Sequence, residues 1–309
     1  MHIRKAGFHF FAHNHLAAAV ASFPLRPHVF WTYFSALALL AIGLAIILKN
    51  ELAARRGIEK LLPFGRLFFA LAMVVFGADH LTDALNISQL VPSWMPAHLF
   101  WTYLVGVALI AAALSITVKR HARLASILLG IMLLLFVLML HIPNLLSQPR
   151  DRVLWVTAWR DLAFSAGSFT FAGSLMRPAR ADAAHSLVTI ARLLLGVAAL
   201  FFGVVDFLRP AVAPGVPLDL ITPSWIPGHL FWAYLSGAVL VSCGLCILLN
   251  FKARQAAIYV GIMILLLVVF VYLPILFSKP SDVDNGLNYV VDTLAFSGIF
   301  LILSDALTT

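Results

Sequence analysis

PSWMPAHLFWTY at residues 92–103 returns as PSWIPGHLFWAY at 223–234, and PHVFWTY at 27–33 carries its closing half a third time. A chain that writes a proline turn, one histidine and an aromatic run at fixed spacing is assembled from repeated units. The flanks repeat as well. GRLFFALAMVVFG (65–77) aligns with ARLLLGVAALFFG (191–203), ARLASILLGIM (122–132) with ARQAAIYVGIM (253–263), and DLAFSAG (161–167) with DTLAFSG (292–298). The offset is 126 residues before the motif and 131 after it, because the second copy's loop is five residues longer.

Composition says what the units are. Of 309 residues 62% are hydrophobic and 11% charged, with mean hydropathy +0.99, whereas soluble domains are about 25% charged. Crossing ~30 Å of hydrocarbon takes about 20 apolar residues in a helix. Such runs lie near 29–48, 64–82, 97–117, 123–145, 161–177, 188–208, 229–250, 254–278 and 288–305. The expected fold is therefore an all-α integral membrane protein of about nine transmembrane helices. An N-terminal segment, 1–63, supplies one membrane helix and is a partial repeat; four-helix repeats follow at 64–180 and 188–309. Four spans per copy is an even number, so both copies cross in the same sense and are related by an axis along the membrane normal. Each copy is expected to be an up-down bundle with short connections.

The net charge of +8 does not indicate nucleic acid. The basic residues gather at 49–66, 119–123, 177–192 and 252–254, which are alternate connections. By the positive-inside rule these face the cytoplasm, and so does the C-terminus. Residues 1–27 read as a surface helix, a partial re-entry, or a signal peptide whose apolar region His13, Asn14 and His15 interrupt. Residues 51–62, ELAARRGIEKLL, form a short basic amphipathic stretch, either lying on the lipid surface or a solvated linker.

Ionisable groups inside a membrane are costly and mark sites. In the first copy Asp79 and His80 end one helix, His98 begins the next, His141 ends the third, and Arg160 and Asp161 begin the fourth. Up-down threading brings all of them to the outer level. The second copy offers Asp206, His229, Tyr272 and Asp292 there, and Trp94 and Trp225 are paired by the motif. The motif itself has two readings. The aromatics form an interfacial belt with each histidine satisfying a helix end, or His98 and His229 face carboxylates in a bundle mouth.

Such a mouth suits a quinone head group, because reducing a quinone takes two electrons and two protons and His–Asp pairs can supply the protons. His80 and His141 are the candidate proton donors; Asp79, Trp94, His98, Arg160 and Asp161 are the candidate ligand-binding residues. A metal held by His80, His98 and His141 with Asp79 or Asp161, or a haem between His98 and His141, is the other chemistry open to these residues. Cys243 and Cys246 form a CxxC one turn apart toward the cytoplasmic half, where packing and thiol redox are both open. No Walker loop, dinucleotide fingerprint, zincin helix or nucleophile elbow is present.

Phe76, Gly77, Asp79 and His80, the Pro-Ser-Trp-x-Pro-x-His-x-Phe-Trp block, and Arg-Asp-Leu-Ala-Phe at 160–164 together resemble the DoxX-like family of bacterial membrane proteins. The resemblance spans both copies, about three quarters of the chain. It implies four-helix bundles in the bacterial inner membrane, often associated with respiratory or redox partners, and it carries no established catalytic residues. The second copy departs from the pattern, with Val205 and Asp206 at the Asp-His pair and Tyr272 at His141, which points to a structural role for that copy. The functional expectation is a redox-associated subunit that binds a quinone-like amphiphile at the outer mouth of the first repeat. A non-catalytic scaffold in a larger membrane complex, or a small-molecule carrier, is the alternative. The expected partners are the lipid bilayer and other membrane or respiratory subunits.

Overall fold

The structure, a computed structural model, describes residues 27–176 and 178–307. Residues 1–26, Arg177, Thr308 and Thr309 lie outside the described residues, and with the first of these the readings offered for the N-terminal segment. Among the described residues there is no strand, only one isolated antiparallel bridge between Val212 and Ile221.

Among the described residues nine long helices carry the fold: α1 (Pro27–Asn50), α2 (Phe64–Thr82), α3 (His98–Val118), α4 (Ala122–Ser147), α5 (Arg152–Ser174), α6 (Ala181–Leu208), α7 (His229–Leu248), α8 (Ala253–Ser278) and α9 (Asp284–Ala306). Eight of them are long and apolar enough to cross a membrane; α5 is long enough but not apolar enough. Its position explains the difference. Helices α2, α5 and α9 are surrounded by protein, so α5 carries Arg160, Asp161, Ser165, Ser168 and Thr170 without exposing them to lipid. The peripheral helices instead show large apolar side chains such as Leu37, Leu128 and Phe270 on their outer faces.

The quoted motif is a helix-entry device. Met95 N–H donates to Pro92 O at 2.9 Å and Ile226 N–H to Pro223 O at 3.0 Å, closing a turn in each copy. Two residues on, Ala97 and Gly228 take the left-handed conformation at φ 57° and 66°, and each histidine is then the first residue of its helix. Glycine adopts that φ freely, whereas alanine is strained there. A second shared device lies in α4 and α8. Pro143 and Pro274 have no N–H to give, and each helix widens just before them into a π turn, at Val137–His141 and Val268–Tyr272. Helix α5 begins nine residues before the expected span because Asp151 caps it, accepting from Val153 N–H at 2.8 Å.

The packing differs from two closed bundles. Within each quartet the first three helices pack in sequence and the fourth packs on the third. The fourth helix then turns to the other quartet: α5 lies against α6, and α9 against α2. One contact recurs on both sides. Ser165 Oγ donates to Gly130 O at 2.8 Å, and Ser297 Oγ to Gly261 O at 2.7 Å. At the centre α5 and α9 meet through Phe164 and Phe296, whose rings are 5.0 Å apart, and Phe69 and Phe202 extend this fully buried column on either side.

The end of the bundle opposite the motif, where the basic connections lie, is tied by ion pairs. The α1–α2 connection does not lie free: Arg66 holds Glu51 with both terminal nitrogens at 2.6 and 2.7 Å, Lys119 reaches it at 3.0 Å, Arg55 pairs with Asp305 at 2.7 Å, and Glu59 with Arg254 at 2.5 Å. Burial pushes the Glu51 carboxyl up, but the Arg66 and Lys119 contacts outweigh it and hold it below the usual carboxylate range. Its contribution to stability is thus present above the unfolded pKa and lost as pH falls through the lower folded value.

Candidate functional site

The site lies at the motif end, eight residues into α5 and α9, roughly 12 Å below their first turns at 1.5 Å per residue. The π turn of α4 directs His141 onto α5, where Nε2 is 2.7 Å from Asp161 Oδ2. Arg160 Nε donates to the other oxygen of Asp161 at 3.0 Å. Asp161 is therefore bonded on both sides. Arg160 also reaches across the halves, placing Nη1 3.7 Å from Asp292 Oδ1 on α9.

Asp292 occupies in α9 the place of Asp161 in α5, yet its surroundings differ. Tyr272 stands where His141 stands in the first copy, and its hydroxyl donates to Pro214 O at 3.0 Å. Both carboxylate oxygens of Asp292 are consequently buried without a hydrogen-bond partner, and one turn earlier Asn288 Oδ1 is in the same condition. A cavity of about 280 Å³ opens beside them, walled by Arg160, Asp219, Asp284, Asn288, Tyr289 and Asp292. Neither terminal nitrogen of Arg160 makes a hydrogen bond among the described residues. Below the cavity, one turn further along each helix, the buried rings of Phe164 and Phe296 fill the core.

The loop at 209–228, the one lengthened by five residues, roofs the cavity. Ala213 N–H donates to Leu220 O at 2.8 Å and Thr222 N–H to Ala211 O at 2.9 Å, folding it into a hairpin whose tip is buried. The Arg152 guanidinium holds Pro217 O and Leu218 O, and the Tyr289 hydroxyl donates to Asp219. Inside, Asp206 accepts from Gly215 N–H at 3.1 Å and from Ser236 Oγ at 2.5 Å. Asp206 and Tyr272 were expected to line a second mouth; they anchor the loop that fills it.

The remaining expectations divide. His141, Arg160 and Asp161 come together as the sequence suggests, and Asp292 joins them from the second copy instead of standing in a separate site. Asp79 leaves the cluster: it accepts from Thr32 of α1 at 2.9 Å, with Asn288 approaching it as well. His80 turns its Nδ1 onto Phe76 O of its own helix at 2.7 Å. His98 and His229 make no side-chain hydrogen bond or ion pair among the described residues, and Trp94 and Trp225 stand 70% and 53% exposed at the rim. Among the described residues no three His, Cys, Asp or Glu side chains form a metal-holding group. Cys243 and Cys246 are free thiols, half-buried.

Thr32, Arg152, Asp219, Asp284, Asn288 and Tyr289 were not singled out from the sequence. One signal was available: Asp284, Asn288 and Asp292 fall at i, i+4 and i+8, a polar stripe on an otherwise apolar helix. In comparisons with known proteins, no family model matches the chain, nor does any curated protein or solved structure.

Proposed function

We propose that this chain is a membrane binding protein that takes the head group of a small amphiphile into the pocket between its two halves, from the outer side, without passing it through. In this reading all nine long helices span the membrane, as two parallel four-helix repeats of DoxX-like build following one extra helix. The motif end faces out, and the basic connections and C-terminus face the cytoplasm of a bacterial inner membrane. Recurrence of the π turns, the entry turns and the serine bridges at matched positions supports the duplication.

The observation that carries the reading is Asp292, a carboxylate with two buried, unanswered oxygens on the wall of a cavity that also holds the free end of Arg160. Buried acceptors are almost always satisfied, and leaving one unmet costs about 1–3 kcal/mol, more when charged. A guest that supplies donors would recover that cost. The aromatic column beneath the pocket supports binding over transport. The redox-associated version of the reading is constrained by the same atoms: the carbonyls of an oxidised quinone would answer only Arg160, whereas the hydroxyls of a quinol would also serve Asp292.

The test is mass analysis of small molecules released from the protein after purification in mild detergent, together with an ultraviolet–visible spectrum. A stoichiometric amphiphile that is lost in Arg160→Ala and Asp292→Ala is the expected result. Equal content in wild type and both variants would overturn the assignment of the pocket, and an empty wild type would favour the scaffold alternative.

A further inference from the structure

The walls of the pocket specify its guest more narrowly, provided that the pocket reading above holds. Its unanswered buried atoms are all acceptors: Asp292 Oδ1, Asp292 Oδ2 and Asn288 Oδ1. Asp292 is only 3% exposed, so bulk water does not satisfy them by default. Residues 288 and 292 are one turn apart on α9, which places their acceptors on one face. A group with several N–H donors and no acceptor matches this wall, and a primary ammonium, with three, is the smallest such group.

Charge points the same way. Among the described lining residues Asp219, Asp284 and Asp292 stand against Arg160, with Arg152 acting on Asp219 from the loop side, so the wall stays net negative and favours a positive guest. Arg160 adds a second requirement. Its Nε is committed to Asp161, but its terminal nitrogens are unbonded, and Nη1 lies 3.7 Å from Asp292 Oδ1. The guest therefore meets an acceptor wall and a guanidinium a few ångströms apart, which suits joined positive and negative groups. At about 280 Å³ the cavity falls just under the usual ligand-pocket range of roughly 300–1,000 Å³, enough for a head group and not for a bulky body.

We infer that the pocket binds a zwitterionic head group, its primary ammonium on Asp292 and Asn288 and its anionic group on Arg160. Two sources share this chemistry: an aminophospholipid of the surrounding bilayer, and a free phosphoethanolamine-like zwitterion in solution.

The experiment titrates the full chain in detergent with short-chain phosphatidylethanolamine, short-chain phosphatidylcholine, free phosphoethanolamine and a short-chain quinol, reading thermal shift and native mass spectra. Phosphatidylethanolamine is expected to bind at least about tenfold more tightly than phosphatidylcholine, whose quaternary nitrogen has no N–H, a difference of about 1.4 kcal/mol. Asp292→Asn and Asn288→Ala should each remove most of that preference, and the isosteric Asp292→Asn keeps the comparison valid if the alanine variant misfolds. Free phosphoethanolamine binding as tightly as the lipid would identify the source as soluble, and lipid binding alone would identify the bilayer. Equal affinity for the two lipids, or a preference for the quinol, would overturn the ammonium inference while leaving the pocket in place. Binding of none of the four would remove both.

Discussion

The polar ends of the two quartets start from matching residues and finish in different states. In the first, His141, Asp161 and Arg160 satisfy one another within 3.0 Å. In the second, Tyr272 bonds to the backbone of a longer loop and Asp292 is left without a hydrogen bond, meeting only Arg160 at 3.7 Å. The exchange of histidine for tyrosine, with five added residues in one loop, turns a closed ion cluster into an open wall. In the proposed reading one quartet thus keeps a fixed counter-charge and the other faces a guest. The site belongs to both copies, because α5 and α9 cross between the quartets instead of closing within them.

Equivalent substitutions should break the comparison in opposite ways. Asp161→Asn removes the charge that neutralises Arg160 at close range and one of the two acceptors that Arg160 and His141 share, and breaking a buried pair from one side costs about 3–5 kcal/mol. Asp292→Asn removes a buried charge that nothing hydrogen-bonds, so the loss should be within about 1 kcal/mol or reverse in sign. Thermal unfolding of both variants in the same detergent decides the matter, and equal losses would contradict the asymmetry. Tyr272→His sharpens it further. The introduced imidazole can turn to Asp292 as His141 does to Asp161, at the expense of the Pro214 bond, worth about 0.5–1.5 kcal/mol. Ligand occupancy should fall in that variant while the fold persists. The smallest effects are expected at the histidines of the repeated motif: His98→Ala and His229→Ala should both stay within about 0.5 kcal/mol of wild type and leave occupancy unchanged.

The fold was legible in the sequence where physics acts locally. Apolar runs of membrane length give the helices, the motif's prolines give the entry turns, and the recurring blocks show paired segments. Helix α5 was placed late because Arg152, Arg160 and Asp161 dilute its apolar run, and only its burial between other helices explains how a membrane protein tolerates them. The exchange of fourth helices could not be read, since a repeat shows which segments are alike but not whose neighbour each becomes. At the site, His141, Arg160, Asp161 and Asp292 were found because charge is conspicuous in an apolar chain. His98 was expected there for the same reason, but at the first position of its helix its side chain makes no hydrogen bond or ion pair among the described residues. Asn288 and Tyr289 carry no charge, and the roles of Gly215 and Pro214 are played by backbone atoms, so residue type alone gave no sign of them.

The most direct measurement is an electron cryomicroscopy map of the full chain in lipid nanodiscs at a resolution that shows side chains. A non-protein feature within hydrogen-bonding distance of Asp292 and Arg160, above an intact column of Phe164 and Phe296, is the predicted result. A collapsed cavity in which Asp292 is satisfied by side chains of its own protein would contradict the account.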